Sequence, residues 1–203
     1  LKMRKMNNMN DAITITFPDG KTKEYDKGIT GYEIAESIAK SLAKIAIAIS
    51  VDNIQKDLSD SINSDSSISI ITLENEEGLE IMRHTLTAQV LAKAIKNLYP
   101  LAKLAIGPTI DNGFYYDVSF EKQISSEDLP KIEKEMNKII KNGSAINKTI
   151  HSKEDAIKLF NERNETYKVD IINKSEQDDN FQIYTQGESG FIDLCYGPHL
   201  PNL

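Results

Sequence analysis

The sequence predicts an α+β protein in two parts, on three observations. The chain opens with short runs in which isoleucine alternates with polar residues, the period of half-buried strands. A polar stretch at 74–78, Glu-Asn-Glu-Glu-Gly, then interrupts the pattern. A broad apolar segment at 79–99 follows, long enough for a central helix. The expected architecture is a small mixed sheet crossed by one helix over 12–74, then an α+β domain with an antiparallel sheet and a long central helix over 78–203. Residues 1–11 carry no periodic pattern and are expected as a flexible tail.

In the first part, Ile13, Ile15 and Phe17 alternate with polar residues and predict a strand. Pro18-Asp19-Gly20 is a turn, with Pro presetting φ and Gly taking the positive φ. Residues 21–25 return as the second arm of a hairpin. Thr30 with Glu33 forms a capping box for a helix to about residue 42. The Ile, Ala and Val run at 45–51 is a buried strand, 57–67 is rich in Ser and Asp and reads as irregular, and 68–73 is a last strand. A four-stranded mixed sheet crossed by one helix, the β-grasp arrangement, buries that order economically.

In the second part, the helix at 79–99 has an acidic start and a lysine-bearing end, matching the helix dipole, and stops at Pro100. Leu79, Met82, Leu86, Val90, Leu91, Ile95 and Leu98 cover much of its circumference, which predicts burial inside the domain. Residues 102–106 and 114–118 read as strands joined by a glycine-rich loop. Ser125 with Asp128 opens a helix to about 141, ended by Asn142-Gly143. Residues 146–150 form a strand, and Ser152 with Asp155 caps a helix to about 164. A short element at 169–172 and a polar loop at 175–180 precede strands at 181–184 and 191–194.

The last strand delivers Asp193-Leu194-Cys195-Tyr196-Gly197-Pro198-His199, which holds the only cysteine and one of three histidines. Gly-Pro forbids a helix and favours a tight bend, so a thiol and an imidazole can converge on one spot. Such a cluster suits a metal, a bound water or a nucleophile; the plain structural alternative is a buried cysteine beside a turn. The formal net charge of −7 argues against wrapping nucleic acid through bulk charge. Lys131, Lys134, Lys138, Lys141 and Lys148 make a local basic run, read as a solvated face with Glu133 and Glu135 interleaved. The chain has no apolar run of membrane-span length, its start lacks the apolar core of a signal peptide, and a lone cysteine cannot form an internal disulfide. The expected setting is the reducing cytoplasm.

Nearly the whole chain resembles bacterial threonyl-tRNA synthetase. Residues 12–73 are similar to its N-terminal TGS domain, through Ile-Thr-Phe-Pro-Asp-Gly at the start and Ser-Ile-Ile-Thr at the end. Gly78-Leu79-Glu80-Ile81-Met82-Arg83-His84 resembles the opening of its editing domain. Ala105 to Asp117, Tyr167-Lys168-Val169, Asp193-Leu194-Cys195 and Gly197-Pro198-His199 extend the likeness. The resemblance implies an editing domain that hydrolyses serine mischarged onto threonine tRNA. Serine differs from threonine by one methyl, worth only about 1–3 kcal/mol of discrimination, so a second sieve is needed. By the same resemblance Cys195 and His199 take the family's cysteine and histidine, His84 its first helix histidine, and Lys168 a lysine that steadies developing negative charge or the ribose end. Tyr116, Asp193, Gly107 and Gln89 take positions at the substrate. The implied partners are the acceptor end of tRNA(Thr) and the remainder of a synthetase in cis, with no membrane. No cofactor is expected for editing; ATP and zinc belong to the family's aminoacylation core, which lies beyond the stretch matched. The chain alone is not expected to charge tRNA.

The family writes His-x-x-x-His where this chain reads His84-Thr85-Leu86-Thr87-Ala88-Gln89, one residue longer. Aligned from the left, His84 is the first histidine and Gln89 falls at i+5; aligned from the right, Gln89 replaces the second histidine and Thr85 the first. In a regular helix His84 and Gln89 point about 140° apart. One π-turn would absorb the extra residue and return both to one face; without it His84 lies on the side of Ala88, Leu91 and Ile95. Glutamine can orient a water, but it is neither a base nor a good zinc ligand. Tyr196 stands where the family has arginine. A non-catalytic tRNA-binding or regulatory module with a decayed editing site is the alternative reading.

Overall fold

The computed structural model describes residues 11–203 and divides at Gly78 into two compact units. All of the expected tail except Asp11 lies outside the described residues.

In the first unit β1 (Ala12–Thr16) and β2 (Thr22–Asp26) form the hairpin around Pro18-Asp19-Gly20, in antiparallel register from Ala12↔Asp26 to Thr16↔Thr22. After β3 (Ile29–Thr30), the Thr30 hydroxyl and the Glu33 carboxylate close the capping box on α1 (Gly31–Ile38). The single helix expected here is two: Ala39, at φ −161° and ψ 138°, breaks the helix before α2 (Lys40–Ile45). Then come β4 (Ala46–Val51), β5 (Ile54–Asp57), β6 (Ser61–Ile62) and β7 (Ser66–Thr72).

The main sheet has five strands, in the order β2-β1-β7-β4-β5, rather than four. Strands β1 and β7 run parallel and the other neighbours antiparallel. The extra strand arises because Asp52 and Asn53 take positive φ and fold residues 54–57 back onto β4. The expected irregular stretch also yields β6, which pairs with β3. Ile13, Ile15, Ile34, Ile49, Ile62 and Ile68 form the core.

The boundary falls in the first turn of α3 (Glu76–Thr85). The long helix is built of α3, a π-helical turn at Leu86–Leu91, and α4 (Ala92–Leu98). Val90, Ala94, Ile132 and Ile139 bury one side of it against α5 (Leu129–Asn142), and Ala92 and Ile95 bury another with Ala102 and Leu104. Three residues expected on its inner face, Leu79, Met82 and Leu98, are exposed at its ends. The strands expected at 102–106 and 114–118 shorten to two nested ribbons. Strand β8 (Lys103–Leu104) pairs β11 (Val118–Ser119), and β9 (Thr109–Ile110) pairs β10 (Gly113–Phe114).

Strands β12 (Ile146–His151), β13 (Phe181–Gln186) and β14 (Ile192–Leu194) make an antiparallel sheet with β13 central. Helix α6 (Lys153–Glu162), capped by Ser152, packs Ala156 and Phe160 against Phe181 and Ile183. Residues 169–172 belong to a helix, α7 (Thr166–Lys174), whose Ile172 joins the same core. Alternation along β13 turns Gln182, Tyr184 and Gln186 to its other face, where Gln186 bonds Gln89 of the long helix. The central strand is thus covered on both faces.

Candidate functional site

Three elements of the second unit converge on one cavity. The long helix brings His84, α7 brings Lys168, and the stretch after β14 brings Cys195. They line a cavity of about 370 Å³ together with Gly107, Tyr116 and Asp193. His84 Nε2 lies 2.8 Å from Cys195 Sγ. The Gly197 N–H donates to the same sulfur at 3.4 Å, because Gly197, at φ 65°, bends the chain back over it. The sulfur therefore meets an imidazole and a backbone donor, both of which favour negative charge on it.

His199 lies behind His84 rather than at the cavity. Their rings stack in parallel with centroids 4.6 Å apart, and Tyr184 meets His199 edge-on at 4.5 Å. The Leu200 N–H donates to Thr85 Oγ1 at 3.0 Å, leaving the Thr85 proton to donate to His199 Nδ1 at 3.1 Å. That arrangement puts the ring proton on Nε2. Burial, and then the neighbouring His84, hold His199 well below the ordinary imidazole range, so it stays neutral.

On the opposite wall Lys168 Nζ pairs with Asp193 Oδ1 at 2.7 Å and donates to the Tyr116 hydroxyl at 3.2 Å. Lys168 and Asp193 are both buried. Burial pushes the Asp193 carboxyl up, against the pull of the Lys168 ammonium and the Leu194 N–H. Burial, and then the charge of Asp193, push the Tyr116 phenol far up, so it remains a hydroxyl. A methyl at Gly107 would overlap the Tyr116 ring and come within 2.6 Å of Thr87 Cγ2, so glycine keeps this wall open.

Gln89 is the exception. The π-turn expected to return Gln89 to the face of His84 is present, yet Ala88, four residues on from His84, joins it at the cavity. Gln89 is instead fully buried against Gln186, whose amide donates to its side-chain oxygen at 3.1 Å. A buried amide follows its hydrogen-bond partner, and that partner sits on β13. Sequence reasoning missed Tyr184 and the cavity residues Gln177 and Gln182. The signal for two of these was present, since Gln182-x-Tyr184-x-Gln186 places polar groups at alternate positions of a core strand.

His84, Cys195 and His199 also form a group whose ligand atoms all lie within 4.8 Å of one another. As placed they do not fit a metal ion. Nitrogen lone pairs lie in their ring planes, and two parallel stacked planes cannot meet in one ion. The sulfur and the His84 nitrogen are also closer, at 2.8 Å, than the ~3.5 Å that two ligands of a tetrahedral zinc would show.

This is a two-unit α+β protein whose second unit holds a thiol, an imidazole and an ion-paired ammonium around one cavity, and whose first unit in the sequence is a TGS domain. Residues 13–72 match the TGS domain model. Beyond that domain, the chain as a whole is similar to the N-terminal part of threonine–tRNA ligases. It is 50% identical over 190 residues to that of Francisella philomiragia subsp. philomiragia, 48% over 188 to that of Acetivibrio thermocellus, and 47% over 190 to that of Clostridium novyi. These matches cover 94%, 93% and 94% of this chain, and 29% of each relative. The chain thus spans less than a third of the length of the relatives it matches. Among the described residues, no helix is long and apolar enough to cross a membrane.

Proposed function

We propose that the second unit is an editing hydrolase, cleaving the ester of serine mischarged onto tRNA(Thr). The observation that supports this most is the position of Lys168. A buried ammonium, fixed by Asp193 and Tyr116, lines the same cavity as the His84–Cys195 pair. An ester hydrolase needs both a group that orients and deprotonates water and a donor for the oxyanion. In this reading His84 takes the proton of the attacking water, with Cys195 fixing the imidazole. Lys168 stabilises the tetrahedral oxyanion, and neutral His199 backs the His84 ring. Tyr116 and Gly107 shape the wall that meets the amino-acid side chain.

The acceptor end of tRNA(Thr) is the partner this implies, and the TGS domain serves as a binding or spacing unit beside it. The rest of a synthetase, in cis, would supply aminoacylation. The test is incubation of the chain with seryl-tRNA(Thr). Hydrolysis faster than in buffer, lost in Lys168→Met and in His84→Ala, is the expected result. A chain that binds this tRNA but does not accelerate hydrolysis would instead be a non-catalytic tRNA-binding module. Ala88, and no second imidazole, stands four residues on from His84 at the cavity, and this favours that second reading.

A further inference from the structure

Directly after His84 the long helix widens into the π-turn Leu86–Leu91. Such turns are poorer than α-helix and persist where surrounding groups hold them. One side chain of the turn bonds the helix backbone just before it, and one side chain from β13 bonds the backbone of the turn itself. The Thr87 hydroxyl donates to Arg83 O at 2.9 Å, and the Gln186 amide donates to Gln89 O at 2.5 Å. Gln186 is saturated: its Nε2 also reaches Gln89 Oε1 at 3.1 Å, and its Oε1 accepts from Lys93 Nζ at 3.1 Å.

Gln186 and Gln89 are fully buried, Lys93 is nearly so, and none of the three lines the cavity. Gln89 Nε2 finds no acceptor among the described residues. Two amides and an ammonium are a costly filling for a core that apolar side chains would pack more stably. They share one centre, Gln186, whose amide reaches the backbone of the turn that follows His84.

We propose that Gln186 is a positioning residue: its amide clamps the π-turn from β13 and so sets His84 against Cys195. The effect on turnover rests on the hydrolytic reading of the cavity. The effect on the thiol does not, and the experiment reads both. The chain has one cysteine, so alkylation by iodoacetamide reports Cys195 alone. Gln186→Leu removes both bonds to Gln89 and the acceptor for Lys93 at similar volume. Gln186→Glu keeps an acceptor for Lys93 but loses the donor to Gln89 O. Lys93→Met leaves the clamp in place.

The expected result, in the full chain near pH 7, is that both Gln186 variants lower kcat for seryl-tRNA(Thr) by about 10-fold or more, with KM within about twofold. They also change the Cys195 alkylation rate by at least about threefold, while Lys93→Met leaves that rate as it was. Folded Gln186 variants with unchanged alkylation overturn the proposal. Should Gln186→Leu not fold, Gln186→Glu, stabilised by the Lys93 charge, decides the question alone. If the unmodified chain hydrolyses no seryl ester, the editing reading fails, and the alkylation comparison still upholds or overturns the role of Gln186.

Discussion

The two units solve the problem of burial differently. Among the described residues, the buried polar side chains of the first unit are Asp57 and Ser66, whereas the second buries Thr85, Thr87, Gln89, Lys93, Glu165, Lys168, Gln186, Asp193 and His199. The first unit keeps its ion pairs at the surface, as with Lys21 and Asp19. The second encloses Lys168 with Asp193 and tucks Glu165 against Lys96 at 2.6 Å. A fold of this size needs few buried ionisable groups, since the first unit, with Asp57 as its buried carboxyl among the described residues, is packed on isoleucine, alanine and leucine. Buried ionisable groups that line a cavity mark a candidate functional site.

The comparison breaks most sharply at Lys168. Lys168→Met leaves Asp193 buried without its counter-charge and is expected to cost about 3–5 kcal/mol, read by urea denaturation. Adding Asp193→Asn should recover much of that stability without restoring hydrolysis. Were Lys168→Met no more harmful than Lys21→Met at the surface, the contrast between the units would carry no meaning. Next in size is the converse change. Ile15→Ala empties part of the first core and is expected to cost about 3 kcal/mol, while the rate of ester hydrolysis, measured under folded conditions, stays as it was.

Gly107→Ala is smaller, about 1–3 kcal/mol, since Tyr116 or Thr87 must shift. Its sharper readout is a raised KM from a narrowed cavity. The pH dependence is smaller again. His199 is held neutral in the folded unit, so below about pH 6.5 the unfolded chain takes up a proton that the folded one refuses. Its contribution is therefore present above that pH and is lost as pH falls, by at most about 1.4 kcal/mol per pH unit. Denaturant midpoints measured from pH 7 down to pH 5 should show this slope, and His199→Asn should flatten it. The smallest effect belongs to the first unit: Thr30→Ala removes the cap of α1 and should cost about 1 kcal/mol, read as a lower melting temperature with hydrolysis intact.

Local chemistry was legible wherever it is written in neighbouring residues. The Pro18-Asp19-Gly20 hairpin, the Thr30–Glu33 box, the Ser152 cap and the stop before Pro100 follow from side chains that act within a few positions. The break at Ala39 and the helix over 166–174 were not legible. No proline or glycine marks the first, and Val and Ile in the second match either secondary structure when the run is short.

The sequence by itself determined the α+β class, the polar break near Gly78 and the candidate thiol, imidazole and ammonium, because periodicity, turn residues and rare residue types are local properties. Tertiary structure alone decided which of those groups meet. His84 and Cys195, 111 positions apart, come to 2.8 Å only because α3 and the end of β14 pack together. The same packing turned Gln89 away. Its amide is held by Gln186, 97 residues further on, and no periodicity within the helix can register a hydrogen bond offered by a distant strand.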